Sequence, residues 1–590
     1  MANWWEEHNL RYDDELAAFY RRGATVDVDM SARASGSIVF NVMWPADDGG
    51  LELVVRYPHH FPFFRPAITA PGISLLYHRS PNGDLCLLPQ WTGAWRPEDC
   101  VADLIFEQLP KVLEAGSTED KGKVADIEVH QAEPRSGYYG YVQETYLLVD
   151  GSWDIAPSVN SGYLVIGTGG KGSPSAADKI RDGLRGALLE VQDASGKTIA
   201  ILPDAVGSRY AGATFKAPWV RLSSPPDGGD PGCFSKALQD EFPKVFALAQ
   251  KNASKNGAGT VGFLFPEEAN YRGESSNAWV FLNYFGANKK GSPKVTEYLT
   301  RAERAGPEDI FSRVPELSPL RGKKIAFAGL GCIGAQSAIE FAKAGIGELR
   351  FLEGDFVSPG NSCRWPLGLQ YAGLHKIRAL FQFITDNYPY TKIGPCFSRV
   401  LGNPYNGPDE TTLLENWLDN VDLIFDGSAE VGVQHLLSTI ARIRNIPYVL
   451  IETRPGGWGG VVARIVPGVT GCYYCLCHYQ NDGALEKSGG FKMPPQKKED
   501  FLQPQGCLSP TFTAASFDVE EVSLMGVRMA VSLLCSGGDA ERTTTSYPYL
   551  REDVGVLSLR DDTGAIPCFP KWESYSLRKH PSCDCDSPSK

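Results

Sequence analysis

The chain has 590 residues, with 57 Lys and Arg against 70 Asp and Glu for a formal net charge of -13, and 43% of its residues are hydrophobic. At about 100 to 200 residues per domain this length predicts three or four units, and the acidic balance argues against a general nucleic-acid or anionic-membrane binder, because phosphate attraction needs a basic face. The opening Met1-Ala-Asn-Trp-Trp-Glu-Glu lacks the basic-then-apolar order of a secretory signal, and no apolar run is long enough to span a bilayer, so the expectation is a cytoplasmic protein with protein or small-molecule partners.

In chain order, helical spacing of apolar residues predicts an amphipathic helix from about Trp4 to Tyr20. Strands are expected at Thr25 to Met30, Ser37 to Trp44 and Leu51 to Tyr57, alternating as a meander would. The Pro-rich Tyr57 to Pro66 segment reads as a loop into another short strand, and a helix from about Pro97 to Glu114 closes the unit. Within it stand Tyr57-Pro-x-x-Phe-Pro-Phe-Phe-Arg-Pro, His78 to Gly83, Leu85-Cys-Leu-Leu88 and Trp95-Arg-Pro97. This order resembles the ubiquitin-conjugating fold over nearly all of residues 1 to 125. The resemblance implies that Cys86 is an acceptor thiol. In that fold a His-Pro-Asn triplet precedes the cysteine; here His78 is followed by Arg79, so the oxyanion-assisting asparagine is missing. Asn82 stands too close to Cys86 to replace it, and His78 is left open as either a structural or an assisting residue.

Residues 131 to 310 show short β-like runs at Tyr163 to Ile166, Thr198 to Leu202 and Ala278 to Tyr284, separated by Gly-rich turns. They read as a mixed α/β module linking the two ends, and no residue in it stands out as a catalyst.

From 311 onward strands alternate with helices. Strands are expected at Lys324 to Ala328, Leu349 to Leu352, Leu423 to Asp426 and Tyr448 to Ile451, and helices near 335 to 345, 374 to 387 and 431 to 444. That order predicts a Rossmann-like, doubly wound, mostly parallel sheet with ligands at the carboxyl ends of its strands. At one such end Gly329, Gly331 and Gly334 lead into a small-residue helix, whose N-terminal amides can approach a phosphate. Glycines alone would suit a dinucleotide dehydrogenase, but Glu353, Asp355, Asn361, Arg364 and Lys376 follow with the polar and basic character that a triphosphate needs.

The run Asp355-Phe-Val-Ser-Pro-Gly-Asn-Ser-Cys-Arg364, followed by Gly373-Leu-His-Lys376, resembles the ThiF, MoeB and ubiquitin-activating family. Ser358 is displaced from its usual place beside Asn361 by Pro359 and Gly360, while Asn361, Arg364 and Lys376 stand in register. The resemblance implies ATP as ligand, Glu353 or Asp355 on its ribose, Arg364 and Lys376 on its phosphates, and Asp426 on Mg²⁺. Fixed cations also suit the chemistry, because attack of a carboxylate on an α-phosphate builds negative charge. Family members often form homodimers in which an arginine reaches the partner's ATP; Arg313 is the candidate, with Arg321 near it.

Fourteen cysteines in a reducing compartment call for metal or thiol chemistry rather than disulfides, and eight of them lie between Cys472 and Cys585. Cys472-Tyr-Tyr-Cys475 and Cys583-Asp-Cys585 offer four thiolates suited to a tetrahedral structural Zn²⁺. The family resemblance implies the same, although its second pair is commonly Cys-x-x-Cys; Cys477, His478 and His580 stand close enough to enter the ligand set. Cys507, between a Lys-rich segment from Lys492 to Lys498 and an apolar helix beginning near Phe517, resembles the family's crossover-loop cysteine, whose thiolate carries the acyl group as a thioester.

Three domains are therefore expected: 1–130 ubiquitin-conjugating-like (α+β), 131–310 a central linker module (mixed α/β), and 311–590 an adenylation domain (α/β). An activating and a conjugating domain in one chain resemble the bacterial fusion proteins found beside cGAS-like nucleotidyltransferases in CBASS antiphage operons. That resemblance implies ATP-dependent adenylation of the C-terminus of the nucleotidyltransferase and its transfer through Cys507 and Cys86 to a target lysine. A dedicated ubiquitin-like modifier as donor, sulfur-carrier activation and a non-catalytic scaffold are the alternatives.

Overall fold

The computed structural model describes every residue except 1–2, 8, 47–48, 76, 81–82, 89–93, 119–122, 125–131, 170–174, 269–274, 287–294, 404–406, 408, 484–500, 503–510, 537–546, 561–565 and 586–590. Asn82, the lysines from Lys492 to Lys498 and Cys507 lie outside the described residues. The chain divides into two units, Met1–Gly306 and Pro307–Lys590. Among the described residues no helix is long and apolar enough to cross a membrane.

The first unit opens with helices Trp4–Glu7 and Asn9–Arg21, then strands β1 (Thr25–Val28), β2 (Ile38–Trp44), β3 (Leu51–Tyr57) and β4 (Ala67–Thr69) in one antiparallel sheet of that order. Alternation builds its buried face: Phe40, Val42 and Trp44 on β2 and Leu53, Val55 and Tyr57 on β3 join Trp4, Phe19 and Phe61 in one aromatic-rich core. The strand expected to run to Met30 stops at Val28. Asp29 caps a helix instead, Met30–Ala34, its carboxylate accepting the Ser31 and Ala32 amides at 2.9 Å each. The helix Val101–Ser117 packs on the core, and Trp95 donates its indole N–H to the Pro62 carbonyl at 2.8 Å, pinning the Pro-rich loop.

Fully buried Glu15 ties these elements together. Its carboxylate accepts the Tyr57 hydroxyl at 3.0 Å and the Val101 amide at 3.2 Å, and it lies 3.0 Å from the Arg11 guanidinium. Burial pushes its pKa up, while Arg11, Tyr57 and Val101 favour the charged form. Glu15→Ala is expected to destabilise the first unit by about 3 kcal/mol in urea unfolding, because it strands three polar partners at once. A loss below about 1 kcal/mol would show that water replaces the carboxylate.

The rest of this unit is a single eight-stranded sheet: β5 (Tyr141–Val149), β6 (Ser161–Gly167), β7 (Arg185–Asp193), β8 (Thr198–Ile201), β9 (Thr214–Arg221), β10 (Ala258–Glu268), β11 (Ser275–Gly286) and β12 (Val295–Arg304). The order is β5-β12-β11-β10-β9-β6-β7-β8, and β5 also pairs with the start of β7, so the sheet closes on itself. One face buries Trp219, Trp279 and Phe281; the other packs Phe263, Phe265 and Tyr284 against helices Pro231–Glu241 and Pro243–Asn256. Its strands are more extensive than the three short runs that the pattern suggests, because glycines inside them serve close approach rather than turns. A Cβ at Gly162 would fall 2.0 Å from the Gln192 carbonyl oxygen.

The second unit holds β13 (Lys324–Ala328), β14 (Glu348–Leu352), β15 (Lys392–Ile393), β16 (Leu423–Asp426), β17 (Tyr448–Thr453) and β18 (Gly459–Ile465). A two-residue hairpin pair, β19 (Phe501–Leu502) and β20 (Thr511–Phe512), stands apart, and β21 (Val554–Arg560) and β22 (Pro567–Tyr575) complete the large sheet. The order is β15-β14-β13-β16-β17-β18-β21-β22. The first five strands are parallel, as the βα alternation predicts, so the sheet is mostly parallel as expected; β18, β21 and β22 extend it antiparallel, which that alternation does not announce. Helices Cys332–Lys343 and Ser516–Cys535 cover one face and Val431–Arg444 the other, so β13 and β16 are buried on both sides and read as continuous apolar runs.

Candidate active site

β13 and β14 deliver the glycine loop and the acidic pair to the same sheet end. Gly329 takes a φ of +77° and donates to the Leu352 carbonyl at 3.0 Å; a Cβ there would lie 2.4 Å from the Ser428 Cα, and one at Gly334 would lie 2.1 Å from the Gly329 oxygen. Both glycines interlock the loop with the turn after β16. Gly331 differs: no atom stands within 4 Å of its missing Cβ, and it opens onto a pocket at the N-terminus of the helix Cys332–Lys343.

That pocket, of 230 Å³, brings Gly331, Asp355, Asn361, Arg364 and Lys376 together. Glu353 instead holds the loop, accepting the amides of Leu330 at 2.7 Å and Asp355 at 2.9 Å, so Asp355 is the acidic residue of the pair that lines the pocket. Lys376 starts the helix Lys376–Asn387, is 8% exposed, and places Nζ 2.6 Å from Asp355 Oδ2. Burial works against the Asp355 charge, but the Lys376 ammonium outweighs it and holds the carboxyl below its usual range. The Pro359-Gly360 insertion is absorbed by the 3₁₀ turn Pro359–Cys363, where Ser358 and Asn361 form a capping box and the Asn361 side chain accepts the Ser358 amide at 2.8 Å.

Arg364 reaches the β19–β20 hairpin. Its guanidinium donates to the Phe512 carbonyl and, at 2.6 Å, to the Thr511 hydroxyl, and it stacks over the Phe512 ring at 4.5 Å. Thr511 and Phe512 therefore line the pocket, a placement without local sequence signal. Trp365, next to Arg364, donates to the Leu330 carbonyl at 2.9 Å and props the glycine loop; it also escapes the motif reading. Cys332 lines the pocket as well, and burial pushes its thiol up.

Asp426 sits beneath this floor, fully buried. Ser428 donates its amide at 2.9 Å and its hydroxyl at 2.6 Å to Oδ1, and the Tyr448 hydroxyl donates at 2.8 Å to Oδ2; burial pushes the carboxyl up. In this arrangement it fastens the β16 turn to β17. Arg313 is exposed, and Arg321 pairs with Glu308.

A separate centre forms where the helix Tyr473–Asn481 meets the segment after β22. The thiols of Cys472, Cys475, Cys583 and Cys585 all lie within 4.8 Å of one another, with contacts of 3.8 Å (Cys472–Cys475), 3.6 Å (Cys472–Cys583) and 3.8 Å (Cys475–Cys585). Tetrahedral Zn²⁺ with bonds of about 2.3 Å places its sulfurs about 3.8 Å apart, whereas a disulfide needs about 2.05 Å. The four thiols fit such an ion in spite of the shorter Cys-x-Cys pair. His580 stands behind them, its backbone N–H directed at Cys475 Sγ at 3.3 Å and its ring at Asp482 at 2.9 Å, with the His478 ring stacked on it.

In the first unit Cys86 is half-buried in a groove of 490 Å³ lined by Arg65, Leu85, Leu88 and Tyr138. His78 is 3% exposed and its Nδ1 lies 3.0 Å from Glu133 Oε1. Glu133 comes from the stretch in which no catalyst was expected, 55 residues beyond His78.

Residues 309–522 match the ThiF family. The chain is 31% identical to the uncharacterized protein y4oA of Sinorhizobium fredii strain NGR234, over 99% of this chain and 97% of that one. It is 32% identical to y4qC of the same strain, over 96% and 94%. A ubiquitin-activating enzyme E1-like protein of Saccharomyces cerevisiae is 22% identical over 156 residues, 26% of this chain and 23% of that protein.

Proposed function

Because the chain belongs to the family of y4oA and y4qC and carries a ThiF-type adenylation domain at residues 309–522, we propose that it is an ATP-dependent conjugating enzyme acting on the C-terminus of a donor protein. The observation that carries the reading is the convergence of Gly331, Asn361, Arg364 and Lys376 on one pocket at the carboxyl ends of β13 and β14. There a donor carboxylate attacks the α-phosphorus of ATP and pyrophosphate departs. Lys376 and Arg364 meet the growing negative charge, and the amides at the helix N-terminus add to it. Mg²⁺ would accompany the triphosphate, with Asp426 as its candidate ligand.

The acyl adenylate then passes to sulfur. The β19–β20 hairpin, which brackets Cys507 in sequence, is bonded to Arg364 at the pocket, and this supports Cys507 as the first thiol. Its thiolate attacks the acyl carbon and AMP leaves. Cys86, in a helix–meander–helix frame resembling the ubiquitin-conjugating fold, takes the acyl group by transthiolation, and a target lysine takes it from Cys86. Cys472, Cys475, Cys583 and Cys585 would hold Zn²⁺, which when bound ties the helix Tyr473–Asn481 to the C-terminal segment. We read the protein as a cytoplasmic homodimer that binds no nucleic acid. The donor is a cGAS-like nucleotidyltransferase of a CBASS antiphage system, or a dedicated ubiquitin-like modifier.

Intact mass under non-reducing conditions tests the scheme, using the protein, Mg-ATP and the tail-bearing protein encoded beside it. A thiol-labile adduct of one donor is expected; Cys86→Ala keeps an adduct on Cys507, and Cys507→Ala loses adducts at both thiols. Conjugation by Cys86→Ala would sink the relay, and ATP binding without pyrophosphate release would make the protein a scaffold.

A further inference from the structure

The backbone from His78 to Cys86 doubles back on itself. The Cys86 amide donates to the His78 carbonyl at 2.8 Å, Arg79 bridges Leu85, and the Ser80 amide donates to the Asp84 carbonyl at 2.9 Å, so His78 and Cys86 are neighbours on adjacent arms. His78 has a φ of +60°, the left-handed region, although it is no glycine. Glu133 holds it there through one hydrogen bond, Oε2 accepting the His78 backbone N–H at 2.7 Å, and brings Oε1 to ion-pair distance of Nδ1, 3.0 Å. The Glu133 side chain is itself 9% exposed, and its amide donates to Glu268 at 3.2 Å. The Cys86 sulfur, a His78 ring nitrogen and a Glu133 oxygen all lie within 4.8 Å of one another; the thiol itself donates to the Leu88 carbonyl at 3.5 Å, so a rotation about its Cα–Cβ bond turns it toward the imidazole. A histidine kept only to fill space needs neither a buried carboxylate at its ring nor a left-handed backbone.

We propose that His78 is the proton acceptor for Cys86 and that Glu133 is the positioning residue that fixes the imidazole and stabilises its charged form. The inference rests on the reading of Cys86 as acceptor thiol. In transthiolation the Cys86 S–H proton passes to the imidazole as the sulfur attacks the incoming thioester carbon. The new C–S bond forms, the bond to the Cys507 sulfur breaks, and the departing thiolate takes the proton from the imidazolium. In aminolysis the lysine nitrogen attacks the Cys86 thioester, its proton passes to His78, and the Cys86 sulfur collects it as its bond to carbon breaks. Proton transfer thus stands at a thiol whose preceding segment lacks the oxyanion-assisting asparagine. Among the described residues the other ionisable groups around the thiol are Arg65, which donates to the Leu88 carbonyl at 3.2 Å, Arg79 and Asp84 on the returning arms, and Tyr138 across the groove; Glu268 stands behind Glu133.

The test needs no donor. Alkylation of the full chain by iodoacetamide is followed at the Cys86 peptide by mass spectrometry from pH 6 to 9.5, in the wild type, His78→Gln, Glu133→Gln and Glu133→Asp. His78→Gln is expected to slow Cys86 alkylation about tenfold near pH 6.5 and to leave it unchanged at pH 9.5, where hydroxide replaces the imidazole as proton acceptor. Glu133→Gln is expected to slow it severalfold, and Glu133→Asp to recover most of the rate. Circular dichroism accompanies each variant; if His78→Gln does not fold, the Glu133→Gln and Glu133→Asp pair decides. Profiles that superimpose on the wild type overturn the relay, as does a pH dependence abolished by Arg65→Gln and untouched at His78. If the expected profiles appear but Cys86 never accepts an acyl group in the adduct experiment, the proton relay stands and the conjugation reading fails.

Discussion

Lys376→Ala is expected to lower ATP–pyrophosphate exchange by about a hundredfold to a thousandfold, the scale of removing a preorganised charge from a site where charge develops. The position explains the size. Lys376 is nearly buried, begins a helix and puts its ammonium on Asp355 at the pocket wall. A cation at a helix N-terminus opposes the helix dipole, by about 0.3 to 1 kcal/mol, and so is poorly placed for stability. The ion pair with Asp355 returns a similar small amount, because the Asp355 side chain is 64% exposed and well solvated. Stability should therefore move by less than about 1 kcal/mol while activity collapses. The Asp355 carboxyl, held below its usual range, keeps the pair charged through neutral and mildly acidic solution; its contribution is present above the unfolded value of about 3.9 and lost as pH falls through the depressed one. Exchange rates and urea unfolding of the same preparation check both halves. A tenfold or smaller loss of exchange, or a loss that tracks unfolding, would remove Lys376 from the phosphate site.

Cys475→Ser is expected to abolish zinc binding at the proposed four-thiol site and to destabilise the second unit by about 3 to 5 kcal/mol, a drop in melting temperature of about 10 °C. Cys475 is fully buried among three other thiols and accepts the His580 amide, and its partner Cys585 is 110 residues away in sequence. A four-sulfur clip across so long a loop removes closure entropy from the unfolded chain, and serine, with a poor zinc-binding oxygen, leaves the remaining thiols without a bound ion. Metal analysis of the purified protein should find one zinc per chain in the wild type and none in the variant. A metal-free wild type with the same melting temperature as Cys475→Ser would mean that the cluster is four buried thiols and nothing more.

Much of the second unit was legible because its signals are local. The apolar runs at Lys324–Ala328 and Leu423–Asp426 and the helix Val431–Arg444 carry their own periodicity, and the observed bounds coincide with the expected ones. The close cysteine pairs announce themselves by spacing, although only the fold brings Cys583 and Cys585 to Cys472 and Cys475. The antiparallel strands β18, β21 and β22 went unread because an edge extension has no βα rhythm to mark it. In the first unit, Asp29 read as the continuation of a strand, yet its carboxylate caps a helix, since a side chain that can bond its own backbone competes with the sheet.

The sequence by itself determined the parallel βα core, the glycine loop that ends its first strand, and the residue types for a charged phosphate pocket, since each depends on contacts within a few residues or on chemistry no neighbour can change. Tertiary structure alone decided which side chains do what: Glu353 holds backbone amides while Asp355 faces the pocket, Arg364 reaches Thr511 across 147 residues, and Glu133 crosses 55 residues to hold His78 beside Cys86. Those pairings follow the path of the backbone through space. Burial then turns each into a strong interaction, because a polar group withdrawn from water must find its partner in the protein.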